Sequence, residues 1–167
     1  MKSLREKNML KIKMITVGKI KEKTAAGLIA EYEKRIGAYA SFEAAITEDA
    51  PPPKNPSAAE CEKALSKEKE KIMKEINPRA FKIALCVEGK KLSSEEFASL
   101  LSSVSMSCSE IDFIVGGSNG LHGDIKALAD LKLSMSCMTF PHNLARLMAT
   151  EQIYRAFTII ANTSYHK

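Results

Sequence analysis

A mostly apolar run, Ile111-Asp112-Phe113-Ile114-Val115, leads directly into the glycine-rich segment Gly116-Gly117-Ser118-Asn119-Gly120. A short strand with apolar residues on both faces is typical of the centre of a parallel sheet that helices cover on both sides. Glycines directly after such a strand let the backbone turn tightly or approach a ligand closely. The sequence therefore predicts an α/β protein with this strand near the middle of its sheet.

The rest of the chain alternates between strand and helix patterns, which favours a largely parallel sheet. Predicted strands cover residues 12–17, 42–47 and 81–87, and the last is followed by a turn at residues 88–90. Predicted helices cover residues 25–39 and 57–76, with Cys61, Leu65, Ile72 and Ile76 facing inward in the second. Another helix begins at the capping box Ser93–Glu96, and a serine-rich loop covers residues 102–109. A short helix and a short strand ending near Met135 precede a last helix that starts at Pro141.

Length and composition bound the class of protein. With 167 residues, the chain is the size of one domain. We predict a single domain over residues 11–167 and a flexible N-terminal extension over residues 1–10. No signal peptide, membrane span or metal-binding cysteine pattern is apparent, which favours a cytoplasmic protein without metal. The net charge of +5 fits either a polyanionic partner or an ordinary basic surface.

Two loops at predicted strand ends are candidate ligand sites. The segment Gly116–Gly120 matches neither the dinucleotide fingerprint nor a phosphate-binding P-loop, so a plain turn and a ligand loop stay open. The uncharged segment Ser134–His142 carries small hydroxyls, methionines and a phenylalanine, which suit a ligand with an apolar body and polar edges. The alternative is a core strand that runs into a Ser/Thr-rich helix start.

Histidines and the C-terminal end supply further candidates. No two of the three histidines have the spacing of a helical metal site. His142 starts a predicted helix, where its imidazole either meets a ligand or caps the helix. The end Tyr165-His166-Lys167 follows Arg155 on the last helix; an aromatic ring and cations there suit RNA, and simple fraying is the alternative.

The motifs taken together in order are more specific than any one of them. The sequence runs through 12–19 (IKMITVGK), 84–90 (ALCVEGK), 115–121 (VGGSNGL), 133–142 (LSMSCMTFPH) and 151–157 (EQIYRAF) before ending in Tyr-His-Lys. This series resembles the RlmH family, which are SPOUT-class methyltransferases acting on a pseudouridine of large-subunit ribosomal RNA. The resemblance extends from about Leu10 to Lys167.

The resemblance implies a SPOUT methyltransferase fold, a mostly parallel sheet with helices on both faces and a C-terminal trefoil knot, which is an exception to the rule that chains do not thread loops. It also implies a homodimer that binds S-adenosyl-L-methionine. By motif matching, the cofactor contacts fall on Leu85, Gly116, Gly117, Met135, Ser136, Cys137, Met138, Thr139 and Phe140.

The reaction that the resemblance implies is methyl transfer to ring nitrogen three of a pseudouridine in 23S ribosomal RNA, within the ribosome. His142, Arg146, Tyr165 and His166 are the expected catalytic residues around the base, with the tail coming from the partner subunit. Arg155 and Lys167 are the expected RNA-binding residues, since guanidinium and ammonium groups contact phosphates. The group that takes the proton from the base stays open.

The chain departs from the family pattern at a few positions. Asn162-Thr163-Ser164 replaces the usual Gly-Glu-Pro before the Tyr-His-Lys end, which removes a rigid proline turn. Cys86 and Cys137 stand where the family often has an acidic residue and a lysine or small residue. One alternative function is a non-catalytic ribosome-binding factor with the same fold. A flavodoxin-like nucleotide-binding module is disfavoured, because the loop Gly18–Lys21 is poor in glycine.

Overall fold

The predicted central strand lies in the middle of a parallel sheet. The structure is a computed structural model, and it describes residues 9–166. In chain order, its elements are β1 (Lys11–Val17), α1 (Lys23–Ile36), β2 (Ser41–Thr47), α2 (Ala58–Glu75), β3 (Phe81–Lys91), α3 (Ser94–Ser105), β4 (Glu110–Val115), α4 (Gly123–Leu128), β5 (Leu131–Ser134) and α5 (His142–Ile160). The strand order is β2-β1-β4-β3-β5, and every pairing is parallel. The α/β fold with a largely parallel sheet is confirmed.

Helices cover both faces of the sheet, as predicted. One core packs Met14, Phe113 and their neighbours against α1, α3 and α5, with α5 between the other two helices. The second core packs Ile15 and Ile114 against Ile72 of α2 and Ile125 of α4. Successive residues of a strand point to opposite faces, so β1 and β4 contribute to both cores. This arrangement explains why the central strand is apolar on both faces.

Side-chain caps fix where the helices begin. The hydroxyls of Ser57 and Ser93 accept from the backbone N–H groups of Glu60 and Glu96, whose carboxylates accept in return from the two serine N–H groups. Both predicted capping boxes are therefore confirmed. Glu22 caps α1 through the N–H groups of Thr24 and Ala25, so this helix starts at Lys23 and ends at Ile36, earlier than the predicted 25–39.

The predicted turn at residues 88–90 is wrong, because β3 continues through it to Lys91. Leu85 and Lys90 both pair with Leu133 of β5, which marks an irregularity in the pairing between them. A Cβ atom on Gly89 would lie 2.7 Å from backbone atoms of Lys132 and Leu133. The glycine therefore permits the close approach of two strands and does not form a turn.

The predicted loop at residues 102–109 is also partly wrong. Helix α3 runs to Ser105, since Leu101 and Val104 are buried against the sheet and hold its last turn in place. The Ser105 hydroxyl donates to the Ser102 carbonyl, which satisfies a serine inside the helix. On α2, Ala64, Glu68 and Ile72 form the buried stripe, while Cys61, Leu65 and Ile76 are only partly buried.

The predicted N-terminal extension lies largely outside the described residues. Of the predicted extension, residues 1–8 are outside the described residues; the Leu10 carbonyl accepts from Ser41 N–H, and its side chain packs at the edge of the core. The predicted trefoil knot stays a prediction. In the described part of the chain, no helix combines the length and apolar character needed to cross a bilayer.

Candidate functional site

The two predicted ligand loops meet in one cleft, here called the glycine-loop cleft, at the carboxyl ends of β3, β4 and β5. Its volume is about 600 Å³. It is lined by Leu85 to Glu88, Val115 to Ser118, Gly120, Leu121, Lys126, Leu133 to Ser136, Met138 to His142 and Ala145. In open α/β sheets, ligands bind at this edge. Every predicted cofactor residue except Cys137 lines this cleft.

The glycine loop is closed by contacts that need glycine. Gly120 N–H donates to the Gly117 carbonyl, and Gly120 adopts a φ of 77°, which L side chains rarely adopt. A Cβ atom on Gly116 would lie 2.2 Å from the Gly120 carbonyl oxygen. The loop therefore folds back on itself so tightly that no side chain fits at position 116.

The second wall is the loop between β5 and α5. The Ser134 hydroxyl donates to the Ser136 carbonyl, and the Ser136 hydroxyl accepts from Met138 N–H, so two serines hold the turn. Met138 and Thr139 are exposed, and Phe140 is partly buried. Cys137 points away from the cleft lining, and its Sγ lies 2.6 Å from Lys91 Nζ. Its assignment to cofactor binding stays a prediction.

Charge in this cleft is confined to one rim. Glu88 pairs with Lys126, and this ion pair lowers the pKa of the Glu88 carboxyl. Burial, assisted by Glu88, raises the pKa of the Cys86 thiol, so this side chain stays neutral at pH 7. The remaining lining consists of apolar groups, backbone, the hydroxyls of Ser118, Ser134, Ser136 and Thr139, and the imidazole of His142. The cleft therefore fits a ligand with a largely uncharged body, held by backbone groups.

His142 is the first residue of α5 and lines the glycine-loop cleft. The preceding Pro141 is the N-cap, and no side chain caps this helix end. The alternative that His142 caps its own helix is therefore wrong. His122 performs that role on α4, where its Nδ1 accepts from Asp124 N–H and its Nε2 lies 2.9 Å from Glu62.

A second group of predicted residues, Arg155, Tyr165 and His166, here called the tail cluster, lies along the middle and second half of α5. Arg155 donates from Nε and Nη2 to Glu151 Oε1, at 3.0 and 2.6 Å, and Tyr165 donates to the same oxygen at 3.0 Å. The His166 ring lies 3.3 Å from Arg155 Nη1 and 2.8 Å from Glu95 Oε1. The tail therefore docks on α5 and α3.

The altered tail still returns to the helix. Asn162 takes a left-handed φ of 52°, which asparagine tolerates better than most residues, and Thr163 N–H donates to the Thr158 carbonyl. The Tyr165 ring packs edge-on against the Tyr154 ring, with the two ring centroids 4.8 Å apart. Burial and hydrogen bonds to Tyr32 and Glu151 raise the pKa of the Tyr165 phenol, so it remains protonated at neutral pH. Lys167 lies outside the described residues.

Arg146 does not reach the cleft. Its side chain is buried against α1, where Nη2 lies 3.6 Å from Glu33 Oε1. Burial raises the pKa of Glu33 and lowers that of Arg146, and the attraction between the two opposes both changes. The structure therefore gives Arg146 an ion-pair partner in the core and no exposure to the cleft.

The two groups of predicted residues are far apart within one chain. His142 is the first residue of α5, and Arg155 lies thirteen residues further along it, a separation of about 20 Å at the rise of 1.5 Å per residue. The structure thus brings together the cofactor residues with His142, and separately Arg155 with Tyr165 and His166. It does not bring these two groups together.

Sequence reasoning missed several charged residues near the cleft and the tail. Glu68 is only 7% exposed although it stands in a lysine-rich helix. Its spacing of four residues from both Ala64 and Ile72 places it on the buried face, and this was the available signal. Glu95 and Glu151, which hold the tail, were noted only within the capping-box segment and the motif at residues 151–157, and nothing connected either of them with the tail.

Comparison with known proteins identifies the family. The family model described as "Predicted SPOUT methyltransferase" matches residues 10–166. This chain belongs to the SPOUT methyltransferase family. Curated SPOUT relatives named ribosomal RNA large subunit methyltransferase H are 46% identical in Streptococcus uberis and 47% identical in Carboxydothermus hydrogenoformans. Each match covers 95% of this chain and 100% of the relative, so the resemblance to the RlmH family is confirmed.

A solved structure shares the fold of this chain. The structure described as a probable methyltransferase from Bordetella pertussis Tohama I aligns with a TM-score of 0.57 over 90% of this chain and 96% of that chain. Its sequence identity is only 14%, so the similarity concerns the fold alone.

Proposed function

We propose that this SPOUT methyltransferase transfers a methyl group from S-adenosyl-L-methionine to ring nitrogen three of a pseudouridine in 23S ribosomal RNA. We further propose that it acts as a cytoplasmic homodimer on the ribosome. The observation that carries the proposal is the glycine-loop cleft, where the residues shared with the RlmH family meet at one edge of the sheet. The near full-length similarity to relatives named ribosomal RNA large subunit methyltransferase H supports the choice of RNA.

The residues of this cleft fit S-adenosyl-L-methionine. A volume of about 600 Å³ lies within the range for small-molecule sites. Gly116 leaves no side chain in the path of the backbone, and the walls supply apolar surface from Leu85 and Phe140. When bound, the cofactor supplies an electrophilic methyl group on a positively charged sulfur. The loop from Met135 to Phe140 would hold it through backbone groups.

The acceptor nitrogen must lose its proton before it reacts, because its lone pair is delocalised into two neighbouring carbonyls. His142 is the titratable side chain where the cleft meets the start of α5, so we assign to its imidazole the removal of this proton. Most of the remaining rate acceleration comes from alignment of the base with the methyl group. The protein achieves this alignment by holding the base against the rigid glycine loop.

The tail cluster would complete the site from the partner subunit. Arg155 and His166 place positive or hydrogen-bonding groups at one surface, which suits RNA phosphate or the carbonyl oxygens of the base. Tyr165 offers an aromatic face and a neutral hydroxyl. Since these groups lie far from His142 in one chain, a twofold dimer that places the tail of one subunit near the cleft of the other would unite them.

The direct test uses labelled S-adenosyl-L-methionine and ribosomes from cells that lack the methyl group. We expect label in methylpseudouridine after digestion of the RNA and mass spectrometry of the nucleosides. Cofactor binding without any label would support the alternative of a non-catalytic ribosome-binding factor. Absence of cofactor binding would contradict the assignment of the cleft.

Replacement of His166 by Ala tests the tail. We expect the methylation rate to fall by about a hundredfold, the lower range for loss of a positioned polar catalytic group, while the dissociation constant for S-adenosyl-L-methionine stays unchanged. Both quantities are measured on the same preparation. Equal losses in rate and cofactor affinity would show that His166 takes no direct part in the methyl transfer.

A further inference from the structure

A separate recess of about 250 Å³ lies beside the glycine-loop cleft, and nothing in the proposed reaction uses it. It is formed by the loops after β1 and β2, the inner face of α2, the glycine loop and the start of α5. The recess and the cleft share Gly117, Ser118 and His142 as a common wall. A strand of RNA whose target base enters the cleft would therefore place a neighbouring nucleotide at the recess.

Glu68 provides a hydrogen-bond acceptor inside this recess. The side chain is 7% exposed, and its Oε1 accepts from Ala50 N–H at 3.0 Å. Among residues 9–166, no donor contacts its second oxygen, Oε2. Burial raises the pKa of this carboxyl, and the hydrogen bond from Ala50 N–H opposes the rise.

Asn143 contributes a second acceptor to the wall of the same recess. Its Oδ1 atom is buried and has no hydrogen-bond partner within residues 9–166. Buried polar atoms are normally paired, and each one that is not calls for an explanation, such as a ligand that is absent. Gly117 separates the recess from the cleft, and a Cβ atom there would lie 3.5 Å from Glu68 Oε1.

The charges of the recess select among ligands. Asp49 and Glu68 within it repel a phosphate group, so the recess is not an anion site. Lys19 and Lys21 also line the recess and are exposed. Their positive charges disfavour a metal cation in the recess. The same charges suit the backbone phosphates of a polyanion that lies at its mouth. A neutral group that carries N–H donors and is attached to a phosphate chain satisfies both requirements.

We infer that this recess binds the nucleobase next to the methylation target, and that Glu68 and Asn143 accept hydrogen bonds from its exocyclic amino group. The inference rests on the proposed function and deepens it by naming a specificity subsite. Adenine, cytosine and guanine carry such an amino group, and uracil does not. Single-stranded RNA is read in this way, through hydrogen bonds to the edges of unstacked bases.

The test is a cycle between protein and RNA variants. The substrates are ribosomes whose large subunits lack the methyl group. The subunits are either native or carry uridine in place of the amino-bearing nucleotides next to the target, changed one at a time and together. The enzymes are wild type, Glu68→Gln and the matched control Glu70→Gln, whose side chain is exposed on the same helix. Initial methylation rates, affinity for S-adenosyl-L-methionine and melting temperature are measured for each enzyme.

We expect the uridine change at one neighbouring position to slow the wild-type enzyme by about tenfold or more, since a site built to hydrogen-bond a group rejects an analogue without it. Glu68→Gln should show a similar loss on native subunits and no further loss on the changed ones. Glu70→Gln should behave as wild type throughout. Cofactor affinity should be the same in all three enzymes.

If the rate losses from Glu68→Gln and from the uridine change multiply as independent effects, the inference is overturned. Full activity of Glu68→Gln would also overturn it, as would efficient methylation of subunits with uridine on both sides of the target. If Glu68→Gln does not fold, Asn143→Ala takes its place in the cycle with the same expectations. A wild-type enzyme that does not methylate even ribosomes with native subunits would contradict the proposed function itself, which separates the two failures.

Discussion

One added methyl group at position 116 would block the glycine loop. A Cβ atom there would lie 2.2 Å from the Gly120 carbonyl oxygen and 3.0 Å from Leu121 N, and both are backbone atoms that cannot rotate away. Gly116→Ala must therefore displace the loop that walls the cleft. We expect its affinity for S-adenosyl-L-methionine, measured by isothermal titration calorimetry, to fall by at least about tenfold, or 1.4 kcal/mol.

Gly123 offers the matched control for this change. It follows the same loop at the start of α4, and a Cβ atom on it would meet no atom within 4 Å. Gly123→Ala should bind the cofactor like wild type. Unchanged affinity in Gly116→Ala would show that the loop does not contact the cofactor.

Asp112 gives the protein a pH-dependent stability. The residue is fully buried in β4, its Oδ2 accepts from Asn77 N–H, and Oδ1 has no partner among residues 9–166. Burial, more than the nearby Glu110, raises its pKa from 3.8 to about 6. A carboxyl whose folded pKa is raised favours the folded state below about pH 4 and loses that contribution as pH rises through 6.

Asp112→Asn keeps an acceptor for Asn77 N–H and removes this titration. We expect the free energy of unfolding of wild type to decrease, relative to Asp112→Asn, by up to about 3 kcal/mol between pH 4 and pH 7.5. Urea unfolding at both pH values measures it. Parallel pH dependence in the two proteins would contradict the raised pKa, and the exposed Glu70→Gln controls for a general charge effect.

At the scale of elements, the pairing of β3 with β5 positions the cofactor loop. Gly89 lies so close to β5 that a Cβ atom would be 2.7 Å from backbone atoms of Lys132 and Leu133. Gly89→Ala should therefore push the strands apart, lower the free energy of unfolding by about 1–3 kcal/mol, as overpacking does, and weaken cofactor binding. Chemical unfolding and calorimetric titration measure the two effects.

Gly27→Ala makes the matched comparison, because Gly27 lies inside α1 where a Cβ atom would meet no atom within 4 Å. Alanine is favoured over glycine in a helix interior, so this variant should gain about 0.5–1 kcal/mol and bind the cofactor normally. A Gly89→Ala protein as stable as wild type would show that β3 and β5 do not need their close approach.

Local signals account for the elements that the sequence predicted correctly. The serines at 57 and 93, each followed three residues later by a glutamate, marked helix starts without reference to the rest of the fold. The prediction of a turn at residues 88–90 was wrong because Gly89 lies against β5, a strand distant in sequence. Contacts of that kind leave no trace in local propensity.

The residues of the candidate site also differ in whether local sequence signals could predict them. Loop residues such as Gly116 and Met135 were predictable because they follow strands that end at one edge of the sheet. The burial of Arg146 beside Glu33 was not, since the pairing depends on how α5 crosses α1. Glu68 was hidden by the charged residues around it, which make a solvated helix face the natural interpretation.

For the whole molecule, the decisive feature is the separation of the cleft from the tail cluster. Within one chain, His142 begins α5, and His166 is held further along this helix by Arg155 and by Glu95 of α3. A dimer offers a way to unite the two groups. In a twofold dimer, each of the two sites would take its cleft from one subunit and its tail from the other.

Mixed dimers test this arrangement. His142→Ala and His166→Ala alone are each expected to retain about 1% of the wild-type rate or less. If they are mixed, unfolded and refolded together in equal amounts, half of the dimers should be hetero-dimers in which one site has an intact cleft and an intact tail, so about a quarter of wild-type activity should return. Methylation of ribosomes by the mixture, compared with the two single variants refolded separately, measures the recovery. If both groups acted within one chain, no mixture of the two variants would regain activity, because every chain would carry one of the two lesions. Recovery therefore distinguishes a site shared between subunits from one built within a single chain.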